Sequence, residues 1–157
     1  MAEINFHILT QEDQDKFQLI AYWYLDYWKI PTDKSIKKLE KVTASESEFH
    51  VLMTLDNVPI ATGGLHHHTG LQDKVPRFKM YKDWLALVYT IPVERGKGYG
   101  ALLCNYITHL AKERAIEKIY LFTDTAENLY QRLGWSVLEK VAMGERNVTV
   151  MNVVIDI

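Results

Sequence analysis

Two largely apolar runs, Trp84–Ile91 and Lys118–Thr123, flank an amphipathic helical pattern at Ala101–Arg114. Continuous apolar runs mark strands covered on both faces. The helix between them sets Leu102, Leu103, Tyr106, Ile107, Leu110 and Ala111 on one stripe. A strand–helix–strand passage of this length predicts two parallel strands with a right-handed crossover. An α/β domain must be built around that unit.

The rest of the chain supplies strands and helices on both sides of it. Ile4, Phe6 and Ile8 alternate with polar residues, as in a half-buried strand. From Thr10 and Asp13 a helical pattern carries Phe17, Ile20, Ala21, Tyr24, Leu25 and Trp28 on one side and ends before Pro31. A more charged helix follows from Thr32 to Val42. Phe49–Leu55 and Val58–Leu65 read as strands joined at Asp56-Asn57, with Pro59 making the second start irregular. The segment from His66 to Lys82 reads as a polar connection containing Gly70 and Pro76. Residues 125–133 form a short helix stopped by Gly134, and Trp135–Val141 and Val148–Ile155 close the sheet around Gly144–Asn147. There is no internal repeat or low-complexity segment, so residues 1–157 are expected to form a single domain.

Composition narrows the class of function. Of the 157 residues, 48% are apolar and 24% charged, enough to bury a core and ordinary for a globular protein. A formal charge of −2 argues against a nucleic-acid partner. The single cysteine, Cys104, cannot make an internal disulfide and reads as a small buried apolar group rather than a nucleophile. Glu3 and His7 interrupt what a signal peptide would need, and no run reaches membrane-spanning length. A cytoplasmic location with no membrane partner is expected.

Between the first apolar run and the helix stands Arg95-Gly96-Lys97-Gly98-Tyr99-Gly100. Alternate glycines leave backbone N–H groups bare, and the helix N-terminus adds its positive dipole end, so the turn suits a phosphate. A Walker-type loop fails, because Gly100 is followed by Ala101-Leu102 and not by Lys-Ser/Thr. The dinucleotide fingerprint fits literally on Gly96, Gly98 and Ala101, with Asp124 as the ribose acid. Against it, Pro92–Arg95 separate the strand from the first glycine, and only one β-α-β unit exists. A bare turn without ligand is the remaining alternative.

The pattern Thr90-x-Pro92-x-x-Arg95-Gly96-x-Gly98-x-Gly100 resembles the acetyl-CoA signature of the GNAT N-acetyltransferase superfamily. Downstream, Ala126-x-x-x-Tyr130-x-Arg132-x-Gly134-Trp135 resembles that family's second motif, a tyrosine shortly before a Gly-aromatic pair. The resemblance implies a mixed, partly splayed sheet of about seven strands flanked by about four helices. It implies acetyl-CoA as co-substrate, no metal, and direct transfer to an amine without a covalent enzyme intermediate. Val88, Tyr89 and Thr90 would present backbone groups to the pantetheine arm, with an N–H at Val88 or Thr90 polarising the thioester carbonyl. The amides of Arg95, Gly96, Lys97, Gly98, Tyr99 and Gly100 would wrap the pyrophosphate, with the Arg95 and Lys97 side chains adding positive charge; a solvated Lys97 is the alternative. Tyr130 would be the general acid for the departing sulfur, or else a packing and anchoring residue. Thr123 stands where the family often has an asparagine and would contact pantetheine or cap a helix, while Asn128 is displaced from that position.

The acceptor side is less defined. A primary amine with a pKa of about 10.4 must lose a proton, and Asp83, the His66-His67-His68 run (His66 and His68 on one side of a strand, His67 on the other) or water could take it. His66-His67-His68 cannot all face one metal ion from a strand. Tyr22, Trp23, Tyr24, Tyr27 and Trp28 crowd the first helix beyond what one buried stripe holds. The surplus would line an acceptor pocket, make a homodimer contact, or simply cover the sheet. The expected acceptor is a small-molecule amine; a protein acceptor, or a CoA-binding module that has lost transfer, are the alternatives.

Overall fold

The computed structural model describes residues 2–155. Seven strands form one mixed sheet: β1 (Ile4–Ile8), β2 (Phe49–Leu55), β3 (Val58–His66), β4 (Trp84–Thr90), β5 (Lys118–Thr123), β6 (Ser136–Met143) and β7 (Arg146–Val154). Their hydrogen-bonded order is β1-β2-β3-β4-β5-β7-β6. Five helices accompany them: α1 (Gln14–Trp28), α2 (Thr32–Ala44), α3 (Gly70–Lys74), α4 (Tyr99–Glu113) and α5 (Glu127–Arg132). The expected β-α-β unit is β4-α4-β5, and its strands are parallel. Among the described residues their ladder is the single pair Trp84↔Tyr120, so pairing is confined to the start of β4. The mixed, partly splayed sheet is therefore observed, with five helices in place of about four.

The chain divides into two compact units, residues 2–64 with Leu87–Leu103, and Leu65–Ala86 with residues 104–155. In the first, α1, α2 and β2 bury Phe17, Ile20, Tyr24, Leu39 and Leu52 around Tyr89. The β2–β3 turn is made by Asp56 and Asn57, both left-handed at φ 50° and 68°, the conformations an Asp-Asn hairpin turn requires. Helix α1 ends on Lys29 at φ 60°, whose N–H returns to the Leu25 carbonyl at 3.0 Å before Pro31. Leu25, expected on the buried stripe, is 40% exposed.

The start of α1 carries a titration signature. Burial alone would raise the Asp13 carboxyl, but the Thr10 amide at 2.7 Å and the His7 and Lys16 side chains at 2.9 and 3.3 Å hold it down to about 2. A folded-state value below the unfolded 3.8 stabilises the protein above that pH, and the contribution disappears as pH falls through 2. Allowing for solvent screening, it is about 1–2 kcal/mol. In urea melts Asp13→Asn should be less stable by that amount at pH 6, with most of that difference gone at pH 2. An unchanged difference at both pH values would exclude this origin.

In the second unit, the segment expected to be a polar connection is folded. Helix α3 and a 3₁₀ helix at Pro76–Met80 bury Leu71 and Phe78 against Trp84, Val148 and Val150. At the α3 start the Thr69 N–H donates to Gln72 Oε1 at 2.5 Å, the side-chain half of a capping box. Strand β7 lies between β5 and β6, antiparallel to both. Helix α4 begins two residues earlier than its pattern indicated, and Leu103, Cys104, Ile107 and Ala111 are its buried face. Leu102 is instead 45% exposed.

Candidate functional site

The glycine turn belongs to the first unit. Strand β4 ends at Thr90, Pro92–Glu94 make one 3₁₀ turn, and α4 starts at Tyr99. Gly96 and Gly98 have φ +76° and +89°, and a Cβ on either would meet no heavy atom within 4 Å. Their conformation, not crowding, requires glycine, and the space beside them is open to a ligand. Gly100 differs: it lies in the first turn of α4, and its Cβ would sit 3.8 Å from Thr90 Oγ1, an ordinary contact. The first helical bond runs from Leu102 N–H to the Gly98 carbonyl at 3.2 Å. The amides of Tyr99, Gly100 and Ala101 therefore have no acceptor within the helix, which is the donor set an anion needs.

Charge around the turn is arranged differently from expectation. Lys97 Nζ is 2.7 Å from Glu94 Oε1, and that bond raises the lysine pKa while neutralising much of its field. Arg95 Nε donates to the Thr90 carbonyl at 2.7 Å. Its guanidinium lies 4.9 Å from the Tyr27 ring centre and 5.2 Å from that of Tyr89. Arg95 is thus a cation held on two aromatic rings, tying the turn to the end of β4. Trp23 stacks on the same Tyr89 at 5.5 Å, and Trp28 meets it at 6.3 Å. The crowded aromatics of α1 separate accordingly: Tyr24 is buried, Trp23 and Trp28 are half-buried, and Tyr22 and Tyr27 are exposed. Val88 and Thr90 are half-buried and Tyr89 is buried.

Tyr130 and Thr123 belong to the second unit. Tyr130, on α5, is 8% exposed and packs edge-on against Trp135 at 5.9 Å. Its hydroxyl adjoins the Cys104 thiol. Burial, reinforced by Cys104, raises the phenol well above its ordinary value, so it stays protonated. Burial likewise pushes the Cys104 thiol up to about 12. Thr123 ends β5, and its Oγ1 accepts the Ala126 N–H at 3.0 Å, tying down the chain that leads into α5. Asn128 is exposed.

The three histidines have three different environments. His66 is fully buried, and His68 pairs with Asp73 at 2.9 Å on the surface. His67, one of the run considered for the base, faces Asp83, another candidate, at 3.5 Å, with both side chains partly exposed. That pair is equipped to accept a proton, and only their spacing across the folded 67–83 connection brings it together. Among the described residues no group of three or more His, Cys, Asp or Glu side chains is placed to hold a metal ion. No described helix is long and apolar enough to cross a membrane.

The model of the GNAT acetyltransferase family matches residues 7–135. No curated protein sequence matches the chain. An aminoglycoside 6′-N-acetyltransferase solved with coenzyme A superposes with a TM-score of 0.73 at 13% identity, covering 96% of each chain. The yncA structure from Salmonella typhimurium, solved with acetyl-CoA, gives 0.71 at 15% identity, covering 98% of this chain and 94% of that one. The ribosomal-protein-S18-alanine N-acetyltransferase from Escherichia coli gives 0.69 at 14% identity, covering 99% and 96%. The chain belongs to the GNAT acetyltransferase family. It is accordingly an acyl-transferring enzyme with acetyl-CoA as co-substrate.

Proposed function

We propose that the protein transfers the acetyl group of acetyl-CoA to a primary amine of a small molecule, by direct attack in a ternary complex. The observation that carries this reading is the turn before α4, where two left-handed glycines stand beside the amides of Tyr99, Gly100 and Ala101, which have no acceptor within the helix. Acetyl-CoA supplies a thioester whose carbonyl carbon bonds to the amine nitrogen while the C–S bond breaks. Backbone amides from Gly96 to Gly100 bind the pyrophosphate, the Arg95 N–H being given to the Pro92 carbonyl at 3.3 Å, and Gly96 and Gly98 give it close approach. Arg95, anchored on Tyr27 and Tyr89, holds the turn against β4. The backbone of Val88, Tyr89 and Thr90 aligns the pantetheine arm, and an N–H of that stretch polarises the carbonyl. Thr123 steadies the entry to α5, and Tyr130 presents its O–H to the leaving sulfur.

Direct attack is supported by the state of the only thiol. Cys104 is buried and protonated, with a pKa pushed up to about 12, so it is no acyl carrier. A small cationic acceptor is supported by the compact cluster of Trp23, Tyr27, Trp28 and Tyr89, in which the Tyr27 and Tyr89 rings already hold one cation, Arg95. The test is incubation with acetyl-CoA and a panel of aminoglycosides, polyamines, amino-acid derivatives and N-terminal peptides, with products read by mass. One acetyl group gained by a small amine is the expected result. Acetylation of peptides alone would replace the acceptor by a protein, and CoA binding without product on any amine would favour a binding module.

A further inference from the structure

Leu87 stands in the middle of β4 with φ +57°, left-handed where the strand on both sides is extended. For a residue with a Cβ that conformation costs about 1–2 kcal/mol. It persists only if something holds it, and the structure shows what does. The Tyr24 hydroxyl reaches the Leu87 carbonyl at 2.6 Å and lies 3.1 Å from His50 Nε2. A phenol has one hydrogen, and a carbonyl can only accept. The Tyr24 hydrogen is therefore committed to Leu87, and its oxygen accepts from a His50 Nε2–H. Both side chains are out of solvent, at 1% and 0% exposure. Burial, with the charge of Lys38 adding, pulls His50 down to about 3, so the imidazole is neutral. Trp28 and Tyr89 pack on the Tyr24 ring at 5.3 and 6.5 Å, and Thr62 adjoins its hydroxyl.

The consequence runs through the peptide plane. The Leu87 carbonyl and the Val88 N–H belong to one rigid trans peptide and point in opposite directions. Fixing the carbonyl on Tyr24 fixes the Val88 N–H pointing away from the core. We propose that Tyr24, oriented by His50, is a positioning residue for acetyl transfer, holding the left-handed turn at Leu87 so that the Val88 amide is aimed at the thioester carbonyl. This rests on the assignment of Val88–Thr90 to the donor site, and it selects Val88 over Thr90 as the polarising donor. A strand distortion beside a reacting group is a recurring way to re-aim one backbone group.

The test uses Tyr24→Phe, which keeps the ring and removes one oxygen, in two backgrounds. The carbonyl stretch of bound [1-13C]acetyl-CoA, read by difference infrared spectroscopy, should lie below that of free acetyl-CoA in the parent and return toward it in Tyr24→Phe. In steady state kcat should fall about tenfold, the size of one lost hydrogen bond, with KM for acetyl-CoA unchanged. Leu87→Gly takes positive φ without penalty, so in that background the Tyr24→Phe loss should shrink to about twofold or less. An unchanged carbonyl band and kcat in Tyr24→Phe overturns the positioning role while leaving the donor site standing. So does an equal loss in both backgrounds, or a loss confined to KM. A parent protein that binds acetyl-CoA with no shift of the band, or does not bind it, overturns the donor-site assignment as well.

Discussion

Gly98→Val should weaken CoA binding by more than about 100-fold while leaving the protein folded. At φ +89° with no heavy atom within 4 Å of its Cβ, Gly98 is constrained by backbone conformation and not by packing. A β-branched residue cannot stay there cheaply, so the turn rotates to negative φ. Gly98 also provides the carbonyl that starts α4, through Leu102 N–H at 3.2 Å, so its rotation disturbs the amides of the first helical turn. Hydrogen bonds to a charged group are worth about 1.5–3 kcal/mol each, so losing two gives the stated factor. The folding cost is about 1–2 kcal/mol, or a few degrees in Tm for a chain of this size. Gly100→Ala is the informative comparison: it has helical geometry and a 3.8 Å neighbour, so it should lose far less affinity. Calorimetry with CoA decides it, and binding within threefold of the parent for Gly98→Val would remove the turn from the site.

The contrast between those glycines shows what the sequence could and could not reveal. The β4-α4-β5 unit was legible because its periodicities are long, and the Asp56-Asn57 turn because those residue types tolerate left-handed backbone. Helix α3 and the 3₁₀ helix at Pro76–Met80 were not, since five residues are too few to display a helical period. Their apolar anchors, Leu71 and Phe78, were hidden in a polar-looking stretch. The turn at Arg95–Gly100 announced itself through glycine. Leu87 announced nothing, because its left-handed backbone is imposed by Tyr24, 63 positions away. The same holds for His67 against Asp83 and for Tyr130 against Cys104: pairings made by the fold carry no local signal.

That last pairing sets the expectation for Tyr130→Phe, a fall in kcat of about 10–100-fold with KM for acetyl-CoA within about twofold. The phenol is buried beside Cys104, and its pKa lies well above the ordinary tyrosine value. Transfer of its proton to a thiolate of ordinary pKa, about 8.5, is therefore uphill. A strong hydrogen bond to the sulfur, as negative charge develops there, is not. The expected loss is accordingly that of one charge-assisted bond, at the lower end of what a general acid supplies. The pH dependence follows with a definite sign. A raised folded-state value keeps the proton on Tyr130 as pH rises through 10, so the parent-to-variant ratio of kcat should be flat from pH 7 to 10. Over the same range both rates should climb as the acceptor amine, with a pKa of about 10.4, loses its proton. A ratio that collapses toward one near pH 10 would show the phenol titrating as an exposed tyrosine does. Unchanged kcat at saturating substrates would take Tyr130 out of the reaction and leave it as the packing partner of Trp135 and Cys104.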